Sequence, residues 1–288
     1  MNYFKILLKG SFILSIAELS TKFVGFLLIP IFSYYISPDG YGTITSVLIL
    51  ISFLNLFYNP GILSSSMRLY HSTNDELERQ KIIGSSFLFF IAVPLSVSIF
   101  MIFFGERLFS IFLPDLKFYP YGLIAILLAF MTQAKRMWIN LMTLLYTVHL
   151  TAIFTVVSVI IGVAFSLLFV IYFEMGAHGR ILAFIPSSIF LFCVSLYHII
   201  KYSNLMFSLS IMRKLIKMGY PLIIAICSYE ILHIADRFLI EYYLGLTMLG
   251  LYSFSYNLCE SQKFLVIGFR QLWSPIFYEN MNDENYHT

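Results

Sequence analysis

KGSFILSIAELSTKFVGFLLIPIFSYYISPDGYG, Lys9 to Gly42, is an apolar stretch that closes on Tyr34-Tyr35-Ile36 and a short turn ending in Gly42. It recurs without a gap 208 positions later as KMGYPLIIAICSYEILHIADRFLIEYYLGLTMLG, Lys217 to Gly250, which closes on Tyr242-Tyr243-Leu244. A repeat at that distance inside a membrane-spanning chain implies a fold of two like halves. The sequence ends at Thr288, so a whole first half and only the start of a second are expected.

The composition requires a membrane. Of 288 residues, 59% are hydrophobic and 11% are charged, with a mean hydropathy of +0.85. Soluble domains carry about 25% charged residues, and these residues cannot supply a polar exterior. The net charge of +3 is small, and no basic run points to nucleic acid. Cys193, Cys227 and Cys259 lie in different apolar spans with no CxxC or Cys/His metal spacing. They read as small buried core residues with no disulfide. No cofactor and no metal site are expected. The opening apolar stretch, Ser11 to Ile36, is too long for a cleaved signal, whose apolar region spans about 7–15 residues.

A helix needs roughly 20 apolar residues to span the hydrocarbon core. Eight spans are expected at 11–36, 43–66, 82–104, 119–143, 151–173, 181–200, 219–244 and 248–275. The fold class is therefore an all-α integral membrane protein. The connections are Ser37-Pro38-Asp39-Gly40, the polar loop 71–81, the segment 105–120, the glycine turn 174–179, and 202–217, long enough for an amphipathic surface helix. Basic residues favour a cytoplasmic N-terminus. That side holds nine (Lys5, Lys9, Arg68, Arg79, Lys81, Lys201, Arg213, Lys214, Lys217) against three outside (Arg107, Lys117, Arg180). Six spans separate the two copies, so both run the same way, a parallel repeat. The expected organisation is a six-helix lobe at 1–201, a cytoplasmic linker at 202–217, and the first two helices of a second lobe at 218–288.

Charged residues inside such spans are costly and mark function or pairing. The basic ones are Lys22, Lys135, Arg136, Arg237, Lys263 and Arg270; the acidic ones are Glu18, Glu230, Asp236 and Glu260. Glu18 and Lys22 sit at i,i+4 and read as an ion pair. Glu230, His233 and Arg237 form one stripe, with Asp236 within reach of His233. Glu260, Lys263 and Arg270 share a second face, and Gln133, Arg136 and Asn140 a third. Arg136, Arg237, Arg270 and Lys263 are the candidate cavity cations, suited to an anionic group such as a phosphate. Glu18, Lys22, Glu230, Asp236 and Glu260 are the candidates for charge balance or proton coupling. His233 reads as a hydrogen-bonded helix residue. The Tyr34-Tyr35 and Tyr242-Tyr243 pairs read as interfacial anchors.

Lys9-Gly10-Ser11, Gly25 to Pro30 and Tyr35 to Gly42 resemble the opening of the bacterial polysaccharide exporters. These are the O-antigen and capsule repeat-unit (Wzx-like) flippases of the multidrug/oligosaccharidyl-lipid/polysaccharide superfamily. Pro60-Gly61-Ile62 with Arg68-Leu69-Tyr70, Met218-Gly219-Tyr220-Pro221, Asp236-Arg237 with Leu244-Gly245, Leu249 to Ser253, and Trp273-Ser274-Pro275 follow in the family's order. The resemblance implies two MATE-like six-helix lobes around a central cavity open alternately to either side. It implies an undecaprenyl-pyrophosphate-linked oligosaccharide as substrate, with membrane lipids and other polysaccharide-assembly proteins as partners, in the bacterial cytoplasmic membrane. Arg237 carries over best, through the Asp-Arg motif. The length departs from the family's pattern, so a truncated member is expected, with a non-transporting fragment as one alternative. The other is a drug/cation antiporter of the same superfamily, which should favour acidic cavity residues, whereas six basic stand against four acidic here. A membrane enzyme would need a large loop or a DxD, HExxH or nucleotide-binding motif, and the longest loop is about 16 residues.

Overall fold

The computed structural model describes residue 20 and residues 23–59, 61–145, 147–203 and 206–261, and within these every regular element is helical. Helix α1 is Phe23–Tyr35. Then follow α2 (Pro38–Tyr58), α3 (Ile62–His71), α4 (Glu76–Phe112), α5 (Phe118–Leu144), α6 (Val148–Leu167), α7 (Gly176–Leu182), α8 (Phe184–Ser203), α9 (Leu209–Gly219) and α10 (Ile223–Ser261). Six helical stretches are long and apolar enough to cross a membrane: Pro38–Tyr58, Glu76–Ser110, Phe118–Leu144, His149–Tyr172, Gly176–Ser203 and Leu209–Cys259. The chain is an all-α, multi-pass membrane protein.

The last stretch is not one rod. Gly245 interrupts α10 with φ 79° and ψ −179°, a conformation open mainly to glycine. Sixteen residues of straight helix would separate Asp236 from Tyr252 by about 24 Å. Instead the Tyr252 hydroxyl donates to the Asp236 carboxylate, and Arg237 lies 4.6 Å from the Tyr256 ring centre. Helix α10 is therefore a hairpin whose first arm carries the expected seventh span and whose second carries the eighth as far as Ser261; residues 262–275 of that span, and most of 11–22 of the first, lie outside the described residues.

Several boundaries differ from those expected. The span 43–66 breaks into α2 and α3 because Asn59 is non-helical and Gly61 takes the left-handed φ of 75°. The proline at 60 in the sequence disfavours helix at Asn59. Much of the loop 71–81 is the start of α4. Asp75 caps that helix by accepting from the Leu77 amide at 3.1 Å, and Glu76 and Glu78 occupy the first turn, where the helix dipole favours acids. At 37 residues α4 runs about 55 Å, well past the hydrocarbon core, and it continues to Phe112 through the first half of the segment expected as 105–120. Hydropathy marks only the lipid-buried middle of such a helix. The turn 174–179 is shorter than expected, since α7 already begins at Gly176. Cys193 and Cys259 are exposed and Cys227 half-buried, so the cysteines are not core residues. Lipid rewards an outward thiol as readily as a packed one.

The apolar interior has two ends. One joins α1, α2, the end of α4 and the start of α5 around Leu50, Leu54, Tyr58 and Phe109. The other joins α3, α4, α5, α8 and α9 around Ile82, Trp138, Leu141 and Leu215. Helix α9 is amphipathic: Ile211, Leu215 and Gly219 are buried, while Arg213, Lys214 and Lys217 are exposed.

The repeat meets itself in space. The Thr247 hydroxyl donates to the Asp39 carboxylate, and these residues are 208 apart. A Cβ at Gly42 would land on the Leu246 carbonyl, and one at Gly250 on the Pro38 carbonyl. Adding 208 converts Gly42 to Gly250 and Pro38 to Leu246, so the contact is reciprocal, as in a two-fold interface. Each tyrosine pair also packs edge-on with ring centres 5.1 Å apart, Tyr34 with Tyr35 and Tyr242 with Tyr243, although the more exposed ring is the first of one pair and the second of the other. Gly250→Ala is expected to lower stability by about 1–3 kcal/mol or more. Gly162→Ala, whose Cβ would meet Ser187 at an ordinary 3.5 Å, should leave it nearly unchanged. Thermal unfolding of both variants in detergent checks this.

Candidate functional site

Charges on membrane helices must face one another, water or a helix end. Arg136 on α5 lies 3.7 Å from Glu230 on the first arm of α10, with side chains 33% and 19% exposed. This is the one ion pair among the described residues. It ties α5 to the hairpin, so Arg136 has a partner that spacing along the sequence does not reveal. Gln133 and Asn140, expected on the same face of α5, turn elsewhere: Gln133 donates to Asn55 on α2, and Asn140 to Ser66 on α3 at 2.9 Å.

The hairpin supplies the next group. Asp236 accepts from Tyr252 through one oxygen and from the Arg237 amide at 2.8 Å through the other. It does not engage His233, which is exposed and packs edge-on to Tyr229 with ring centres 4.5 Å apart. The expected stripe Glu230–His233–Arg237 thus has three separate surroundings. Arg237 lies over the Tyr256 ring, a cation–π contact. Its Nε is buried and has no hydrogen-bond acceptor among the described residues. The Asp236 carboxylate beside it holds the second arm in place and leaves the guanidinium edge free.

Glu241 is a residue that the sequence reading misses. It is fully buried, accepts from Ser46 of α2, and its other oxygen has no partner among the described residues. Its i,i+4 spacing from Arg237 is the available signal; the adjacent Tyr242-Tyr243 points to the membrane boundary instead. Arg180, expected as an outer loop cation, lies in α7, where it donates to Ser166 and packs 4.8 Å from the Phe32 ring centre. Glu18, Lys22, Lys263 and Arg270 lie outside the described residues, as does the side chain of Glu260.

Two cavities flank these groups. One of about 620 Å³ lies between α2, the end of α4 and the first arm of α10; Leu50, Phe53, Phe109, Ile231 and Phe238 line it and the rest of its wall is equally apolar apart from Cys227. One of about 370 Å³ lies between α1, α2 and the second arm, with Tyr41, Arg180 and Asn257 in its wall. No charged side chain lines the larger cavity, and Arg180 is the one described cation in the wall of the smaller.

The chain matches the family model described as "Polysaccharide biosynthesis protein" over residues 7–281. It belongs to that family, which fits the resemblance drawn from its motifs. No curated protein and no solved structure matches it.

A double-mutant cycle on Arg136→Ala and Glu230→Ala should give a coupling of about 0.5–1 kcal/mol, modest because the pair is partly exposed. Unfolding in detergent measures it.

Proposed function

We propose that this member of the polysaccharide biosynthesis protein family flips an undecaprenyl-pyrophosphate-linked oligosaccharide from the cytoplasmic to the periplasmic leaflet. The observation that carries the reading is Arg237: a guanidinium on a membrane hairpin, fixed by Tyr256, with a buried donor that no described residue uses. A pyrophosphate oxygen is the kind of acceptor that such a donor takes, because the planar fork matches phosphate geometry. Arg136 is a second cation, one that can exchange Glu230 for substrate. Lys263 and Arg270 extend the cationic set in this reading. The 620 Å³ apolar chamber gives the first isoprene units somewhere to lie while the rest of the tail stays in lipid.

The protein makes and breaks no covalent bond in this scheme. Its residues bind, orient and release. Glu230, Asp236 and Glu260 balance charge when the cavity is empty or carry the coupling proton, with Glu18–Lys22 as a pair on the first span. Residues 1–201 and 218–288 act as two lobes joined by 202–217, with the N-terminus in the cytoplasm of the bacterial cell. The Gly42/Gly250 crossing then closes the outer end, and translocation requires it to part.

Complementation of a strain that lacks its own flippase tests this. Arg237→Ala should cut surface polysaccharide about tenfold or more, as loss of one charged hydrogen bond implies. Arg237→Lys should restore part of it, because the charge returns without the fork. Unchanged polysaccharide in both variants at equal membrane levels would sink the proposal.

A further inference from the structure

The first arm of α10 enters the membrane behind a basic segment. From Met175 to Tyr229 the sequence holds no acidic residue, and Lys201, Arg213, Lys214 and Lys217 gather in its middle. Apolar residues resume at Met218. At 1.5 Å per residue, Arg213 stands about 8 Å before Met218 along the helix. That distance is about the depth of one headgroup layer.

Helix α9, which carries three of these cations, is fixed to the first helix group at both ends. A Cβ at Gly84 of α4 would land on the Met206 carbonyl, and one at Gly61 on the Gly219 carbonyl. The Ser208 amide donates to the Ser85 hydroxyl at 3.1 Å. Ile211 and Leu215 are buried with Ile62, Tyr70 and Ile82 of α3 and α4. The outward face of α9 therefore has a set geometry.

That face has two stripes. Arg213, Lys214 and Lys217 are exposed, and Arg213 and Lys217 follow at i,i+4, which sets their Cβ atoms about 6 Å apart. Two side chains of that length can reach one phosphate. Beside them, at 100° per residue, runs an apolar stripe of Leu209, Ile216 and Tyr220, which are 55%, 44% and 73% exposed. On the packed helices, α3 carries no acid, and Glu76 and Glu78 of α4 lie beyond ion-pair distance of the α9 cations. An apolar stripe beside cations at headgroup depth fits the surface of an anionic bilayer, where the first enters the acyl boundary and the second meets phosphate.

We propose that α9 is a docking site for anionic phospholipid, with Arg213 and Lys217 on the headgroup phosphate and Lys214 beside them. Leu209 and Ile216 lie against the acyl chains. Docking anchors the first helix group to the lipid surface at the point where α10 begins.

The test uses the purified full chain in mixed micelles of neutral detergent and phosphatidylglycerol, with phosphatidylcholine as the control lipid, and native mass spectrometry to count retained lipid. A preference for phosphatidylglycerol is expected. It should fall about fivefold in Arg213→Gln and in Lys217→Gln, and roughly a hundredfold when Lys214→Gln is added to both. All three side chains are exposed, so these variants keep the fold. Lys117→Gln, an exposed cation at the start of α5, should change it less than about twofold. A nitroxide on Ile216→Cys, with the native cysteines replaced by serine, should meet oxygen rather than a water-soluble nickel reagent in phosphatidylglycerol nanodiscs. A preference untouched by the triple substitution would overturn the proposal. So would a preference that appears only after residues 279–288 are deleted, which would assign the face to the acidic tail of Glu279, Asp283 and Glu284. A nitroxide reached by nickel would do the same, since α9 would then stand clear of the bilayer and face a soluble partner.

Discussion

The backbone contact between Gly42 and Gly250 governs how α2 and α10 meet. Helices in lipid gain no hydrophobic drive from each other, so their association depends on close approach and on polar contacts between them. With no side chain on either glycine, the Pro38 and Leu246 carbonyls come within reach of the opposing helix. Helix α10 packs more extensively on α2 than on any other helix. The same approach brings Thr247 onto Asp39 and Ser46 onto Glu241. Remove the approach and the buried Glu241 loses the one described partner it has. Gly245 acts differently, because its left-handed φ reverses the chain so that the second arm can return past Asp236 and Arg237.

These constraints also order the charges. A lone charge at the centre of the bilayer costs about 2.5–3.5 kcal/mol on insertion scales. Pairing lowers that cost for Arg136 and Glu230, and the hairpin lowers it for Asp236 through Tyr252 and the Arg237 amide. Glu230 and Asp236 are engaged by the protein, whereas Glu241 keeps one buried oxygen and Arg237 one buried donor without a partner among the described residues.

The spans were legible because lipid demands long apolar runs, and the repeat because Lys9–Gly42 and Lys217–Gly250 align without a gap. The Asp236-Arg237 motif pointed to the hairpin residues through its resemblance to the family's seventh-to-eighth helix signature. What hydropathy could not show was helix beyond the membrane: Glu76 to Lys81 are polar, yet Asp75 caps them into α4. Nor could spacing on one helix show partners on another. Glu230 and Arg237 share a face by count, yet one meets α5 and the other the returning arm. Glu241 and Arg180 were missed because each stands beside a boundary signal, a tyrosine pair and a glycine turn, that masked its burial. The glycine crossing was visible only as two glycines at equivalent positions; that they touch is a fact of tertiary structure.

The most direct measurement is a reversible lock on that crossing. Asp39→Cys and Thr247→Cys, placed together in a background with Cys193, Cys227 and Cys259 replaced by serine, put thiols at two residues now joined by a hydrogen bond. Oxidation in native membranes should cross-link them nearly completely. On the proposed function, in which the crossing parts during translocation, export of polysaccharide should stop when the link forms and resume on reduction. Failure of the pair to cross-link, or undiminished export with the link in place, would contradict the account.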